Sequence, residues 1–105
     1  MSKTPKYHIE FTSSALRHID KIAEYHLERV GPISAEKITD KLLDGFQILE
    51  TFPYSGSEHP DEALAKQGYR KIVIGQYVGV YRIIEKIVYV YGIFHGAIQY
   101  QALFK

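Results

Sequence analysis

The stretch YRKIVIGQYVGVYRIIEKIVYVYGIFH, residues 69–95, decides the fold. Apolar and aromatic residues alternate through it with period two, interrupted at Gly75-Gln76 and Glu85-Lys86. β-Branched and aromatic side chains suit a pleated strand, and short Gly or polar dipeptides suit tight reversals. The pattern predicts three antiparallel strands, Tyr69–Ile74, Tyr77–Ile84 and Ile87–His95, joined by two-residue turns. Such turns set Ile74 opposite Tyr77 and Ile84 opposite Ile87. One face then holds Arg70, Ile72, Ile74, Tyr77, Gly79, Tyr81, Ile83, Val88, Val90, Gly92 and Phe94. The other holds Tyr69, Lys71, Val73, Val78, Val80, Arg82, Tyr89, Tyr91, Ile93 and His95. The first is the more aliphatic and is assigned to the core, with Gly79 facing Gly92 so that a helix can approach. A slip of one residue would exchange the faces.

Upstream, Tyr7-His8-Ile9-Glu10-Phe11 alternates as a short strand. Thr12 or Ser13 can cap the helix that follows, whose apolar positions run from Ala15 to Val30 and stop at Gly31-Pro32. Ser34 offers a second cap, and Ala35, Ile38, Leu42, Phe46, Leu49 and Phe52 form the stripe of a second helix that Pro53 ends. Gly45 weakens that helix by about 1 kcal/mol relative to Ala, which points to a close packing contact. The short link predicts an antiparallel helical hairpin. Residues 53–68 read as a loop with one helical turn at Asp61–Lys66. The expected fold is α+β, in the order β-α-α-β-β-β, with one antiparallel sheet of four strands packed on the hairpin. The tail from Gly96 to Lys105 is left unassigned.

Length and composition agree with one domain over residues 1–105. The chain has 105 residues, 46% hydrophobic and 24% charged, a globular balance. Thirteen Lys and Arg against twelve Asp and Glu exclude a chain that is strongly basic as a whole. No cysteine is present, so disulfides, thiolate metal sites and a Cys nucleophile are excluded. No apolar leader follows Met1–Lys6, and the apolar run Ile72–Ile84 is interrupted by Gln76 and Arg82. The expectation is a soluble cytoplasmic protein with no membrane partner. Charge is uneven, however. From Tyr69 onward there are five cations against the single Glu85, and six of the nine tyrosines. A basic, Tyr-rich segment suits phosphate contacts and stacking, although Tyr is also an ordinary strand residue.

Motif-borne chemistry is sparse. No phosphate-binding loop, dinucleotide fingerprint, nucleophile elbow or zinc-protease helix occurs. His18 and His26 stand about 12 Å apart by helical rise, too far for one metal, and read as boundary residues. His8 is expected to face solvent, and His59 to sit in a loop without a visible partner. No metal or cofactor is expected. His95 is placed on the face shared with Lys71 and Arg82, where an imidazole beside two cations can serve acid–base work on a phosphodiester. A polar strand terminus is the plainer reading. Arg70 is expected to pair with a helix carboxylate at the sheet margin.

From Tyr7 to His95 the chain resembles the RelE/ParE superfamily of toxins from bacterial type II toxin–antitoxin systems. The resemblance rests on Ala15, Ile19, Ile22 and Tyr25 in the first helix, then Pro32 and Ala35. It continues through Ile48-Leu49, Phe52-Pro53, Gly56, Gly68-Tyr69-Arg70, Tyr77, Tyr81-Arg82, Ile87, Ile93 and His95. It implies a growth-inhibiting toxin neutralised by a cognate antitoxin. The RelE-like branch cleaves mRNA on the ribosome, using basic sheet residues and a late His, Tyr or Arg. The ParE-like branch inhibits DNA gyrase without a catalytic role of its own. His95 matches the late histidine of both branches, and Lys71 lies near the basic strand positions of the ribonucleases. Two departures weigh against the nuclease. Val78 stands where an arginine is usual in the middle strand, and Ala97-Ile98 follow the late histidine where Arg or Lys is common. Losing one such charge-stabilising group commonly costs roughly 10²–10³ in rate.

The first reading is therefore a plasmid-stabilization type, ParE-like toxin, not an enzyme, that binds gyrase through Tyr69, Lys71, Arg82, Tyr89, Tyr91 and His95. The second is a ribosome-dependent mRNA endonuclease with His95, Lys71 and Arg82 as catalytic candidates. The third is an inactive toxin-fold module that only binds an antitoxin.

Overall fold

The computed structural model describes residues 6–96. In chain order the elements are β1 His8–Phe11, α1 Ser13–Arg29, α2 Pro32–Gln47 with a 3₁₀ turn at Ile48–Glu50, β2 Ser57–Glu58, α3 Glu62–Lys66, β3 Arg70–Ile74, β4 Tyr77–Ile84 and β5 Ile87–His95. The strands form one sheet in the order β1-β5-β4-β3-β2. Its β2–β3, β3–β4 and β4–β5 pairs are antiparallel, and β1 runs parallel to β5. The mostly antiparallel sheet on a helical hairpin is the expected α+β fold, with two refinements. The chain leaves β1 through the hairpin and returns to the same sheet, a crossover that permits parallel pairing. The fifth strand, β2, is too short for periodicity to reveal, and exists because Ser57 and Glu58 pair with Lys71 and Arg70.

Helix ends follow local chemistry. Thr12 caps α1, its Oγ1 accepting from the Ala15 N–H at 3.2 Å, while His26 and Arg29 sit in the last turn, where cations suit the dipole. The second helix starts earlier than its stripe suggests. Gly31 is the N-cap and Pro32 the first helical residue, where its missing N–H costs nothing. Ser34 is thus no cap. Its hydroxyl lies 3.1 Å from His26 Nδ1, tying the two helices together.

The core lies between hairpin and sheet. Ala15, Ile19, Leu42, Phe46 and Leu49 meet Ile74, Tyr81, Val88, Val90 and Ile93. Each large apolar side chain buried there contributes about 1.5–3 kcal/mol relative to exposure. Both flagged glycines are close contacts. A Cβ at Gly45 would stand 2.7 Å from Ile74 Cδ1, and one at Gly79 would stand 2.3 Å from Phe46 Cζ. Gly79 therefore seats α2 on the sheet. Gly92 does not face it, because Gly79 pairs with Ile93 and Gly92 with Val80.

The cause is a β-bulge. Both turns set the expected pairs, Ile74 with Tyr77 and Ile84 with Ile87. Pairing stays in register up to Tyr81 with Val90. Val80 then pairs with Gly92, and Tyr91 has no opposite number. One extra residue turns everything beyond it over. Ile93 and His95 point to the helix side, and Gly92 and Phe94 to the outer side. The expected placing of those four residues is corrected accordingly. Phe94 joins Leu64, Tyr69 and Val80 in a small second core on the outer face, covered by α3. Asp61 caps that helix through Leu64 N–H, and Tyr69 N–H bonds Leu64 O at 3.0 Å.

Candidate target-binding face of the sheet

The outer face is built on β3, β4 and β5. Arg82 pairs with Tyr89 across the β4–β5 ladder, and its guanidinium lies 5.2 Å from the Tyr69 ring centre and 5.9 Å from that of Tyr91. The Tyr69 and Tyr91 rings meet edge to face at 5.4 Å, and Tyr89 leans on Tyr91 at 6.3 Å. A guanidinium held against two rings is fixed in direction yet half-exposed, which suits recognition of an anionic or aromatic partner. The bulge helps assemble this group, since it leaves Tyr91 beside Tyr69. Lys71 shares the face, opposite Val80 and Ser57. Val78, also on this side, packs half-buried on the Phe94 cluster.

His95 is not part of this group. It pairs with Tyr77 on the helix side, its ring meeting Tyr77 edge-on at 5.7 Å. The structure thus brings together Tyr69, Arg82, Tyr89 and Tyr91, keeps Lys71 on the same face, and places His95 on the opposite one. The signal that could have located the turnover is Tyr91-Gly92, because a glycine inside a strand often marks a bulge. The positions Ala97 and Ile98 lie outside the described residues.

Other histidines and Arg70 have positions of their own. His59 is buried, 3% exposed, and its Nδ1 accepts from Asp61 N–H at 3.1 Å, so the expectation of a partnerless loop residue is corrected. Burial lowers its pKa, with Lys71 adding to that and Asp61 opposing it. His18 Nδ1 accepts from Ile93 N–H at 3.1 Å, and its ring packs on Phe94 at 4.9 Å. Burial first, then Arg17, lowers its pKa, as an acceptor imidazole requires. His8 is exposed and lies 2.7 Å from Glu10. Arg70 reaches no helix carboxylate. It donates to the carbonyls of Tyr54 and Gly56 at 3.3 and 2.8 Å, because the loop before β2 crosses its end of the sheet. Tyr81 pins the same loop, donating to Pro53 O at 2.9 Å and accepting from Gly56 N–H at 3.2 Å. Among the described residues no cluster of His and carboxylates could hold a metal, and no helix is long and apolar enough to cross a membrane.

The hairpin-on-sheet order and this outer face can be set beside known proteins. Residues 9–100 match the family model described as ParE toxin of type II toxin-antitoxin system, parDE. The chain belongs to the ParE toxin family. Its fold is similar to a chain of the chromosomal ParDE toxin–antitoxin system of P. aeruginosa, with a TM-score of 0.74 at 18% identity over 86% of this chain and 96% of that one. The toxin–antitoxin complex RelBE2 of Mycobacterium tuberculosis gives 0.62 at 21%, covering 90% and 94%. YafQ of E. coli gives 0.52 at 22%, covering 94% and 99%. These similarities concern the fold. No curated protein matches the sequence at a significant level.

Proposed function

We propose that this ParE-family chain inhibits growth by binding DNA gyrase through the outer sheet face, without cleaving a substrate, and that a cognate antitoxin neutralises it. The observation that carries the reading is the make-up of that face. Arg82, Lys71, Tyr89 and Tyr91, backed by the buried Tyr69, offer a cation–aromatic surface, while His95 faces the other way and Val78 supplies no charge. Metal-free phosphodiester cleavage needs an acid, a base and cations around one phosphate. A protein-binding face needs only complementarity, with Tyr and Arg as its usual anchors. Exposed apolar residues on the hairpin, among them Leu16, Leu27 and Leu43, support an antitoxin helix lying there. Beyond β2, the β3 residues Ile72–Ile74 have no strand neighbour on that side among the described residues, which supports strand addition as well.

The test is induced expression with and without the product of the neighbouring reading frame, followed by separate readouts. The expected result is growth arrest with gyrase-dependent DNA damage and intact mRNA, relieved by co-expression and by a stable complex on size exclusion. Cleavage of ribosome-bound mRNA would replace this reading with the endonuclease. Harmless expression with retained complex formation would replace it with the inactive binding module.

A further inference from the structure

On the helix side of the sheet, away from the face just described, lies a cleft of about 430 Å³. One wall is α1, with Lys21, Tyr25 and His26. The other is Gln76 at the β3–β4 turn, Tyr77 of β4 and His95 of β5. Such a volume falls within the roughly 300–1,000 Å³ of small-molecule sites. The lining is unusual in what it combines. Four of its side chains are aromatic rings, the charged one is Lys21, and no carboxylate is among them.

The walls are held before any ligand arrives. Tyr77 Oη lies 3.3 Å from His26 Nε2, and His26 Nδ1 lies 3.1 Å from Ser34 Oγ, so β4, α1 and α2 fix one another here. The His95 ring meets Tyr77 edge-on at 5.7 Å, and Tyr25 meets His26 edge-on at 5.9 Å. Arg29, outside the cleft lining, lies over the Tyr25 ring at 4.9 Å and holds it from behind. Aromatic rings able to stack on a flat heterocycle, beside a cation and amide or imidazole donors, are the recognition chemistry of a nucleotide.

We infer that this cleft binds a free mononucleotide, its base among Tyr25, Tyr77 and His95 and its phosphate at Lys21. Nothing in this depends on the gyrase reading, and either can fail alone.

The test is an NMR and calorimetric titration of the full chain with AMP, GMP, CMP and UMP and with the corresponding nucleosides. At least one mononucleotide should bind with a dissociation constant near or below about 1 mM, shifting the His26 and His95 ring signals. The matching nucleoside should bind about tenfold more weakly, since it lacks the charge that Lys21 attracts. Lys21→Glu should weaken the nucleotide by about tenfold or more and leave the nucleoside little changed. Lys21, Tyr25 and His95 are exposed, so their variants should keep the fold. Tyr25→Ala should weaken both ligands, and Lys66→Ala on the far face should change neither. No binding up to millimolar concentration, binding indifferent to Lys21→Glu, or nucleosides as tight as nucleotides would each overturn the inference.

Discussion

Strand β5 lives in two environments, divided at Tyr91. From Ile87 to Val90 it lies between two strands, β4 and β1, in the register that its turn dictates. From Gly92 to His95 it keeps β4 on one side, but β1 has ended at Phe11. On that side the partners are now parts of the α1 entry. At the boundary Thr12 N–H bonds Val90 O at 3.0 Å and its Oγ1 donates to Tyr91 O at 3.4 Å, and beyond it His18 Nδ1 takes the Ile93 N–H. A strand neighbour holds register through a repeating ladder. A helix entry holds it at single points, and the bulge falls at the boundary between the two. In this strand, alternation predicts the faces only as far as the pairing with β1 extends.

The comparison is broken most directly by deleting Tyr91. Val90 would then run straight into Gly92, and the observed pairs Val80–Gly92, Gly79–Ile93, Val78–Phe94 and Tyr77–His95 would continue as an unbulged ladder with the same faces. The half-buried Tyr91 ring and its contacts with Tyr69, Tyr89 and Arg82 would be lost. Urea denaturation should show a loss of about 1.5–3 kcal/mol, with Phe94 still packed on Leu64. A deletion variant with Phe94 turned toward the hairpin and His95 beside Arg82 would show that the faces beyond the bulge are not fixed by this pairing.

A smaller effect sharpens the contrast between seated and open backbone. Gly79 lies in the doubly paired region under Phe46, and an added Cβ would stand 2.3 Å from that ring. Gly79→Ala should cost about 1–3 kcal/mol through overpacking. At Gly96, beyond β5, the nearest atom to an added Cβ is the Gln76 carbonyl at 3.4 Å. Gly96→Ala should stay within about 0.5 kcal/mol. Thermal melts of the two variants side by side make the measurement.

These elements mark where the sequence could be read. Both turns, both helices, the α3 turn and the limits of β4 and β5 follow from period, capping and breaker residues, all local signals. Gly45 and Gly79 were legible as approach points because a glycine in a regular element calls for a reason. The bulge was not legible by alternation, since Tyr91 and Gly92 fit a regular strand equally well by composition. It falls where β1 ends, eighty residues away in the chain. The same distance hid the role of His18, which looks like any helix-surface histidine until β5 loses its neighbour. Arg70 and Tyr81 serve a loop whose path no periodicity describes. Of the candidate face, the tyrosines and cations were legible as a group, and the side on which His95 falls was not.

His18 allows a pH test of the two halves. Its folded-state pKa lies below the ordinary 6.5, so the unfolded chain takes up the proton first. Its contribution is whole above pH 6.5 and is lost as pH falls through the folded value. His59 is shifted in the same direction and adds to the slope. Stability should therefore fall on acidification below pH 6.5, and His18→Leu should flatten part of that fall. At neutral pH the same variant should cost about 1–2 kcal/mol for the orphaned Ile93 N–H. Amide exchange should quicken at Ile93 while Val88 and Val90 stay protected. Equal quickening along the whole strand would show that β5 responds as one unit.

The smallest expected change is at His95 itself. It is exposed at the end of β5, where its ring meets Tyr77 edge-on. His95→Ala should move stability by no more than about 0.5 kcal/mol and leave growth inhibition nearly intact. Arg82→Ala removes the guanidinium held between Tyr69 and Tyr91, and should abolish or strongly reduce inhibition while antitoxin binding on the hairpin persists. The pair separates two ways in which a histidine and an arginine near one strand end can work. If they formed one phosphodiester-cleaving centre, removing either would silence the toxin, because acid–base and charge-stabilising groups fail together. If the outer face binds a protein surface, the arginine matters and the histidine on the opposite side does not. Growth inhibition lost in His95→Ala, with folding and antitoxin binding unchanged, would unite the two faces functionally and overturn the separation that the bulge creates.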